Sequence, residues 1–279
     1  MFNRSILGAG VLLAAILVPG LAVAHSIGFV APPGSHVVTV VAHEYRFTMP
    51  ASIPAGLTTF VLKDEGRQEH HMEVVKLDDG KTMADVMAAF THPGPPPTWM
   101  HPVGGPNTPG PGGVSNATLV LQPGHYVAFC VIPAPDGRPH VMHGMITPFT
   151  VTPSKDAPAP LPKADTTITL RDYAFELSRP LTAGHHVIEV VNAGHQPHEM
   201  TMIRYPSNRG NHDLEAWVEK PNGPMPGHGA GGITDILPGT HVVIQVDMKP
   251  GKYGLICFTP GPDGKPHFMD GMQREFVVR

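Results

Sequence analysis

Short apolar stretches recur along this chain, and many alternate hydrophobic with polar positions or are rich in β-branched residues. Examples are residues 58–62 and 186–191, which follow the predicted turns at 54–56 and 182–184. This pattern is typical of short β-strands separated by turns. It predicts about seven short strands in each half of the chain, packed as an antiparallel β-sandwich or barrel.

Two segments have helical character instead. Thr82 is placed to cap a helix over residues 83–90, with Asp85 at the third position. Residues 213–220 occupy the equivalent place in the second half. We therefore expect one short helix in each half.

The chain contains one pattern twice. The segment YVAFCVIPAPDGRPHVMHGM (126–145) is matched by YGLICFTPGPDGKPHFMDGM (253–272), and residues 40–47 parallel residues 168–175. A repeat of this length predicts duplicated domains. We assign residues 25–152 to a first domain, 153–165 to a Pro/Ala-rich linker and 166–279 to a second domain.

The amino-acid composition and the net charge argue against some classes of binding partner. Charged residues make up 15% of the chain, whereas it contains 31 glycines and 33 prolines, which fits short strands joined by many turns. The net charge is −4 and no block of like charge stands out. Neither nucleic acid nor an acidic membrane surface is therefore expected as a partner.

The N-terminus predicts an export signal. Arg4 supplies a positive charge, residues 6–21 form an apolar run, and Ala22-Val23-Ala24 is a typical cleavage site. The run is short for a membrane span, and no other stretch qualifies. We expect a signal peptide over residues 1–24, cleaved after Ala24, and a periplasmic or secreted mature protein without a membrane span.

Each copy of the repeat carries the same four candidate metal ligands. They are His70, Cys130, His140 and Met145 in the first copy, and His198, Cys257, His267 and Met272 in the second. Two imidazoles, a thiolate and a weak thioether ligand suit copper, as Cu⁺ or Cu²⁺. Copper is thus the candidate cofactor, and a redox partner protein is a further candidate partner.

Other interpretations of these residues stay open. The two cysteines are the only ones in the chain, and a disulfide is common in exported proteins. Their equivalent positions in two repeats favour separate thiols, since a disulfide needs Cα atoms within about 7 Å. Each candidate ligand is also common as a buried structural residue, so a metal-free binding module is an alternative.

On these motifs each half resembles a cupredoxin, the plastocyanin/azurin-like blue (type 1) copper domain. Asn192-Ala193-Gly194, followed after three residues by His198, is similar to the family's turn before its first histidine ligand. The Tyr-x-x-x-Cys segment and the His-x4-Met spacing match as well. The resemblance implies an all-β fold of two tandem Greek-key β-sandwich or barrel domains. It further implies histidine and cysteine as equatorial ligands, methionine as the axial ligand, and one-electron transfer.

One spacing departs from the family. Familiar cupredoxins place two to four residues between the cysteine and the second histidine, whereas this chain has nine in each copy, at 131–139 and 258–266. Asp136-Gly137 and Asp263-Gly264 predict a turn at the tip of each insert. The insert either returns the histidine to the metal or marks a branch that kept the fold and lost the site.

Two larger classes also resemble tandem cupredoxins, the multicopper oxidases and the copper nitrite reductases. Their catalytic centres use histidines that flank the cysteine or His-x-His pairs, and this sequence has neither. We therefore expect that the chain is not an enzyme. Electron transfer is the leading function, and copper carriage or tolerance is the alternative, using the His/Met loops at 92–105 and 221–232.

Overall fold

The computed structural model describes residues 29–91, 96–156, 159–220 and 223–279. The predicted signal peptide over 1–24 and its cleavage after Ala24 lie outside the described residues. Within the described ranges, no helix is both long and apolar enough to cross a membrane. The predicted all-β fold is confirmed, with packed β-sheets and one short α-helix in each half.

Strands dominate both halves of the described chain. The first half contains β1 (His36–His43), β2 (Arg46–Thr48), β3 (Ser52–Pro54), β4 (Gly56–Asp64), β5 (Glu73–Leu77), β6 (Met100–Pro102), β7 (Val114–Leu121), β8 (Gly124–Phe129) and β9 (Ile146–Thr152). The second half contains β10 (Thr166–Arg171), β11 (Ala174–Leu177), β12 (Gly184–Asn192), β13 (His198–Tyr205), β14 (His228–Ile236), β15 (His241–Met248), β16 (Gly251–Ile256) and β17 (Gln273–Val278).

The helices lie close to their predicted positions, at α1 (Met83–Thr91) and α2 (Asn211–Glu219). Thr82 caps α1 as expected, because its hydroxyl accepts the backbone N–H of Asp85 at 3.3 Å and its own N–H donates to the Asp85 carboxylate at 2.8 Å. Two single-turn 3₁₀ helices, His140–His143 and His267–Asp270, follow the cysteine strands. Each ends at a glycine in the left-handed region, at φ 98° and φ 101°.

Three sheets form the body of the molecule. An eight-stranded sheet runs through both halves in the order β11-β10-β12-β15-β7-β4-β1-β2. The first half adds a sheet β3-β9-β8-β5-β6, and the second half adds β14-β13-β16-β17. The strands that lead to the two cysteines, β8 and β16, therefore lie inside the sheet that belongs to each half alone.

The eight-stranded sheet is continuous because β7 of the first half pairs with β15 of the second, with Thr118 opposite Val243. Beside this pair, the side-chain amide of Asn116 forms the two hydrogen bonds to the β15 backbone that a peptide group of a neighbouring strand would form. Its Nδ2 donates to the Gln245 carbonyl at 2.7 Å, and its Oδ1 accepts the Gln245 N–H at 2.9 Å. Both residues are buried, so these bonds pair the N–H and C=O groups of Gln245, which would otherwise lack hydrogen-bond partners.

One apolar core connects the two halves. Buried side chains of the first half, such as Phe60 and Met72, belong to the same packed cluster as Ile188 and Met200 of the second. A second junction is polar: buried Asn107 has its Nδ2 within 3.1 Å of Glu199 Oε2 and 2.9 Å of the Thr201 hydroxyl. The division at residues 153–165 into two domains stays a prediction.

The Asn116 junction gives a stability prediction. We expect Asn116→Ala to lower the free energy of unfolding by about 1–3 kcal/mol, because it leaves the buried N–H and C=O of Gln245 without partners. Urea denaturation followed by circular dichroism measures this. Val120→Ala, a change at a half-exposed position of the same strand, is the control and should stay within about 0.5 kcal/mol. Equal effects of the two changes would contradict the role given to Asn116.

Candidate metal centres

The first centre brings together the donor atoms of three predicted ligands of the first half, His70, Cys130 and His140. The backbone of the fourth, Met145, is hydrogen-bonded to Cys130 and His140. His70 precedes β5, Cys130 directly follows β8, and His140 and Met145 lie in the loop that leads to β9. Nδ1 of His70 lies 3.1 Å from Nδ1 of His140, and Sγ of Cys130 lies 3.5 Å from that same His140 atom. All four side chains are buried without exposed area.

The second centre repeats the arrangement. His198 is the first residue of β13, Cys257 follows β16, and His267 and Met272 lie in the loop before β17. Nδ1 of His198 lies 3.0 Å from Nδ1 of His267, and Sγ of Cys257 lies 3.6 Å from the latter. These four side chains are also fully buried.

The separations between donor atoms fit a single ion in each centre. In both, one ligand atom from each histidine and the cysteine sulfur lie within 4.8 Å of one another. Nitrogen and sulfur donors bound at about 2.0–2.3 Å around a tetrahedral ion lie roughly 3.3–3.6 Å apart. The four distances in the two centres, 3.0–3.6 Å, are close to this range.

The nine-residue insert is a small hairpin that returns the second histidine to the cysteine. Pro133 bridges Pro139 across the hairpin, and the N–H of His140 donates to the carbonyl of Ile132 at 3.0 Å. The predicted turn tip is confirmed, since Gly137 adopts φ 81°. The second half has the same hairpin, with Pro260 bridging Pro266 and Gly264 at φ 80°.

Backbone hydrogen bonds bind the loop to the cysteine strand. The N–H of Cys130 donates to the carbonyl of Met145 at 3.2 Å, and the N–H of Met145 donates to the carbonyl of His140 at 3.0 Å. The second half repeats both bonds, at 3.2 and 3.0 Å between the corresponding residues. The backbone positions of three candidate ligands are thus fixed relative to one another in each half.

In the second centre, the outer nitrogen of each histidine has an acceptor. Nε2 of His198 lies 2.9 Å from Asp172 Oδ1, and Nε2 of His267 lies 3.3 Å from Gln196 Oε1. Burial lowers the pKa of both histidines, so the rings are neutral. With the proton on Nε2, each ring directs the lone pair of Nδ1 at the same point.

A two-residue turn between the first two strands of each half supports the second histidine. Tyr45 and Tyr173 occupy the second position of these turns with φ 62° and φ 67°, which is uncommon for a residue with a side chain. Nε2 of Gln196 donates to the Tyr173 hydroxyl at 3.0 Å while its Oε1 faces His267. Gln68 connects Tyr45 to His140 in the same way, at 3.3 and 3.2 Å.

Glycine is required beside the first histidine because the backbone approaches its ring. A Cβ on Gly66 would lie 2.6 Å from His70 Nε2, and one on Gly194 would lie 2.7 Å from His198 Nε2 and 2.5 Å from Asp172 Oδ1. The two glycines occupy equivalent positions of the repeat. This close approach explains why both copies keep glycine there.

The residue after the first histidine holds the peptide that follows the cysteine. His71 Nε2 accepts the N–H of Val131 at 3.0 Å, and Glu199 Oε1 accepts the N–H of Phe258 at 2.8 Å. Burial lowers the pKa of His71 to about 3, so its ring is a neutral acceptor. Both side chains thus fix the direction in which the chain leaves the cysteine.

The cysteines are free and buried in separate centres. Burial raises the pKa of the Cys130 thiol to about 12, and it raises that of Cys257 further. Cys257 differs from its counterpart in one contact: its Sγ lies 3.3 Å from the Thr259 hydroxyl, which donates to Asp235. The first half has Ile132 at the position of Thr259.

The described parts of the two His/Met loops have other roles. Met100 lies in β6 and packs with Trp99 against the residues around α1, and His101 Nε2 lies 2.8 Å from Asp78. In the second loop, Met225 packs near α2 and His228 begins β14. Residues 92–95 and 221–222 of these loops lie outside the described residues. The part of the loops that is described brings no histidines together at metal-ligand distance.

Comparison with known proteins finds likeness in structure alone. No family model and no curated protein sequence matches this chain. A dithionite-reduced auracyanin from the photosynthetic bacterium Roseiflexus castenholzii aligns at 22% identity and a TM-score of 0.31, over 42% of this chain and 97% of its own. A copper nitrite reductase from Nitrosomonas europaea aligns at 14% identity and a TM-score of 0.26, over 88% of this chain and 94% of its own. A multicopper oxidase aligns at 11% identity and a TM-score of 0.24, over 88% of both chains.

These comparisons correct one expectation. The prediction that the chain is not an enzyme is wrong, because the structures that align along 88% of it are those of copper enzymes, an oxidase and nitrite reductases. The argument had relied on local patterns, namely histidines that flank the cysteine and His-x-His pairs. Such patterns describe single ligand positions and do not exclude an enzymatic role for the whole chain.

The state of the thiols can be tested in the metal-free protein. We expect both cysteines to resist a thiol reagent in the folded protein at pH 8. Burial and the raised pKa of Cys130 reduce its thiolate about a thousandfold relative to an ordinary thiol. In urea without reductant, both should react at once. Absence of free thiols in urea would indicate a disulfide and contradict the two separate centres.

The close approach at the first histidine gives a second prediction. We expect Gly194→Ala to lower the free energy of unfolding by about 1–3 kcal/mol, because the new methyl group displaces His198 or Asp172. Gly261→Ala is a matched control, since its Cβ would lie 3.4 Å from the His267 ring, an ordinary contact. Chemical denaturation of both variants decides the matter. If the Gly194→Ala protein is as stable as the control, the His198 ring can accommodate the new methyl group, and the prediction is wrong.

Proposed function

We propose that this chain is an exported copper protein that binds one copper ion in each half and takes part in one-electron transfer. The ligands would be His70, Cys130, His140 and Met145 in the first half. In the second half they would be His198, Cys257, His267 and Met272. The periplasm or the extracellular space is the proposed location, and a redox protein is the proposed partner.

One observation carries this proposal above the others. In the second centre, two imidazole Nδ1 atoms lie 3.0 Å apart without exposure to water, and each ring has an outer acceptor at its Nε2. When both rings carry their proton on Nε2, as these acceptors favour, two buried lone pairs face each other, and such unpaired contacts are unfavourable by themselves. A cation accepted by both nitrogens and by the cysteine sulfur would remove the conflict. Softness of the donor set then favours copper.

The candidate ligands would have different roles in binding the copper ion. The histidines and the cysteine would form the equatorial set, and the buried methionine would supply a weak axial ligand. Copper in such a set supplies a Cu(II)/Cu(I) couple. The backbone bonds between the cysteine, the methionine and the second histidine hold these ligands in place, and the outer hydrogen bonds hold the rings. A ligand set that cannot rearrange is suited to a one-electron couple.

Burial also limits what can reach the centres. Both second histidines are fully buried, and Tyr45 and Tyr173 form T-shaped ring contacts with them at centroid distances of 5.2 and 5.4 Å. Apolar and aromatic surroundings exclude water and influence the reduction potential of a bound metal.

Copper binding can be tested by visible absorption. We expect the purified mature chain to bind one equivalent of Cu(II) per centre, with an intense thiolate-to-copper charge-transfer band. Cys130→Ser and Cys257→Ser should each remove one centre and its share of the band. His101→Ala, a change in one of the His/Met loops, is the control and should leave both centres intact.

Each departure from this result indicates a different function. Copper bound without the charge-transfer band, and unaffected by either Cys→Ser change, would replace electron transfer by copper carriage in the His/Met loops. No copper at all would leave a metal-free β-sandwich module.

A further inference from the structure

The two centres differ at the residue that faces the first histidine. The β1–β2 turn of the first half places Glu44 there, and the equivalent turn of the second half places Asp172. Each carboxylate accepts the same backbone N–H, that of Arg67 in the first half and that of His195 in the second. The two acids therefore share a position and one contact, and differ in length by one methylene group.

In the second half the shorter side chain also reaches the histidine. Asp172 Oδ1 lies 2.9 Å from Nε2 of His198, and Oδ2 lies 2.8 Å from Nδ1 of His195. A carboxylate that accepts these hydrogen bonds is an anionic acceptor at neutral pH.

In the first half the histidine lacks this bond. Nε2 of His70 is buried and has no hydrogen-bond partner among the described residues. The nearest carboxylate oxygen, on Asp64, is 4.0 Å away, and the oxygens of Asp64 accept the backbone N–H groups of Gly66 and His70 instead. The tautomer of His70 is therefore not set by an outer acceptor.

An anionic acceptor on Nε2 changes a histidine as a metal ligand in two ways. It keeps the proton on Nε2, so that Nδ1 is ready to bind, and it makes the ring a stronger electron donor. It also places a negative charge near the ion. Both effects stabilise Cu(II) more than Cu(I), and loss of such a partner typically weakens metal binding 10–100-fold.

We propose that Asp172 is a positioning residue that makes the second centre bind Cu(II) more tightly than the first and gives it the lower reduction potential. This inference rests on the proposed copper binding. The first centre, with Glu44 in the same place, is correspondingly the one that favours Cu(I). A 10–100-fold difference in preference for Cu(II) over Cu(I) corresponds to about 60–120 mV, at 59 mV for each tenfold change.

Reciprocal exchange of the two acids tests the proposal. The first centre is measured alone in a Cys257→Ser background, and the second alone in a Cys130→Ser background. For each, Cu(II) affinity is measured by competition with a chelator, and the potential by spectroelectrochemical titration. We expect the second centre to bind Cu(II) 10–100-fold more tightly. Asp172→Glu should remove most of this advantage, and Glu44→Asp should raise the affinity of the first centre.

Two control variants separate the hydrogen bond from charge alone. Asp263→Asn removes an exposed carboxylate of the second half that bonds Lys265 and not a histidine, so it should change the potential little. Asp64→Asn gives the first half the residue that the second half has at that position, Asn192. It should not lower the potential of the first centre. Thr259 is unchanged in every variant, so its contact with Cys257 does not contribute to the change that a substitution produces within one centre.

A metal-free readout completes the test. In the apo protein, nitrogen-15 NMR of the imidazoles should find the proton of His198 on Nε2, in a strong hydrogen bond that Asp172→Ala removes. Equal affinities and potentials of the two intact centres, or no response to the exchange, would overturn this inference and leave the proposed function standing. Absence of any cysteine-dependent copper centre would overturn both.

Discussion

Both centres depend on one contact, the approach of two neutral histidine rings nitrogen to nitrogen inside a dry core. The Nδ1 atoms lie 3.0–3.1 Å apart in each half, next to a protonated thiol. In the second half, where outer acceptors favour the proton on each Nε2, both lone pairs face inward and nothing in this contact attracts the two rings. The surrounding structure has to hold the rings, and much of what the halves share serves that purpose. The hairpin insert, the bonds between cysteine, methionine and histidine, the close glycine and the Gln–Tyr pair each fix one ring or one peptide.

Many elements of the fold and the candidate ligands could be predicted from the sequence, because the repeat shows the same motifs twice. The two helices, the Thr82 cap and the turn tips in the inserts follow from local chemistry, and the structure agrees with them. The strand pattern predicted the β-structure but not its details, since the described halves have nine and eight strands instead of about seven, and β1 pairs parallel with β4 as β10 does with β12. The candidate ligands could be grouped because four ligand types recur together at matching positions. The nine-residue insert left two outcomes open, since loop length alone does not say where a loop returns.

The residues that support the ligands were harder to predict. Gln68 and Gln196 are identical in the two copies, as are Tyr45 and Tyr173, so their recurrence was visible. Their role was not, because it depends on a left-handed backbone at tyrosine, which propensity disfavours. The pairing of β7 with β15 was equally hidden. It joins strands from different halves, and no local pattern records which strand lies beside which.

The shared eight-stranded sheet has a consequence for the integrity of the molecule. Within it, β7 and β15 lie in the interior, and the strands at its two ends are the short β2 and β11, of three and four residues. Short end strands offer little unpaired backbone to another chain. Separation of the halves would expose the long strands β7 and β15, each of eight residues, as new sheet edges. An isolated half would then have an exposed edge strand that can pair with the same strand of another molecule. The pairing of the two halves therefore protects the protein against aggregation.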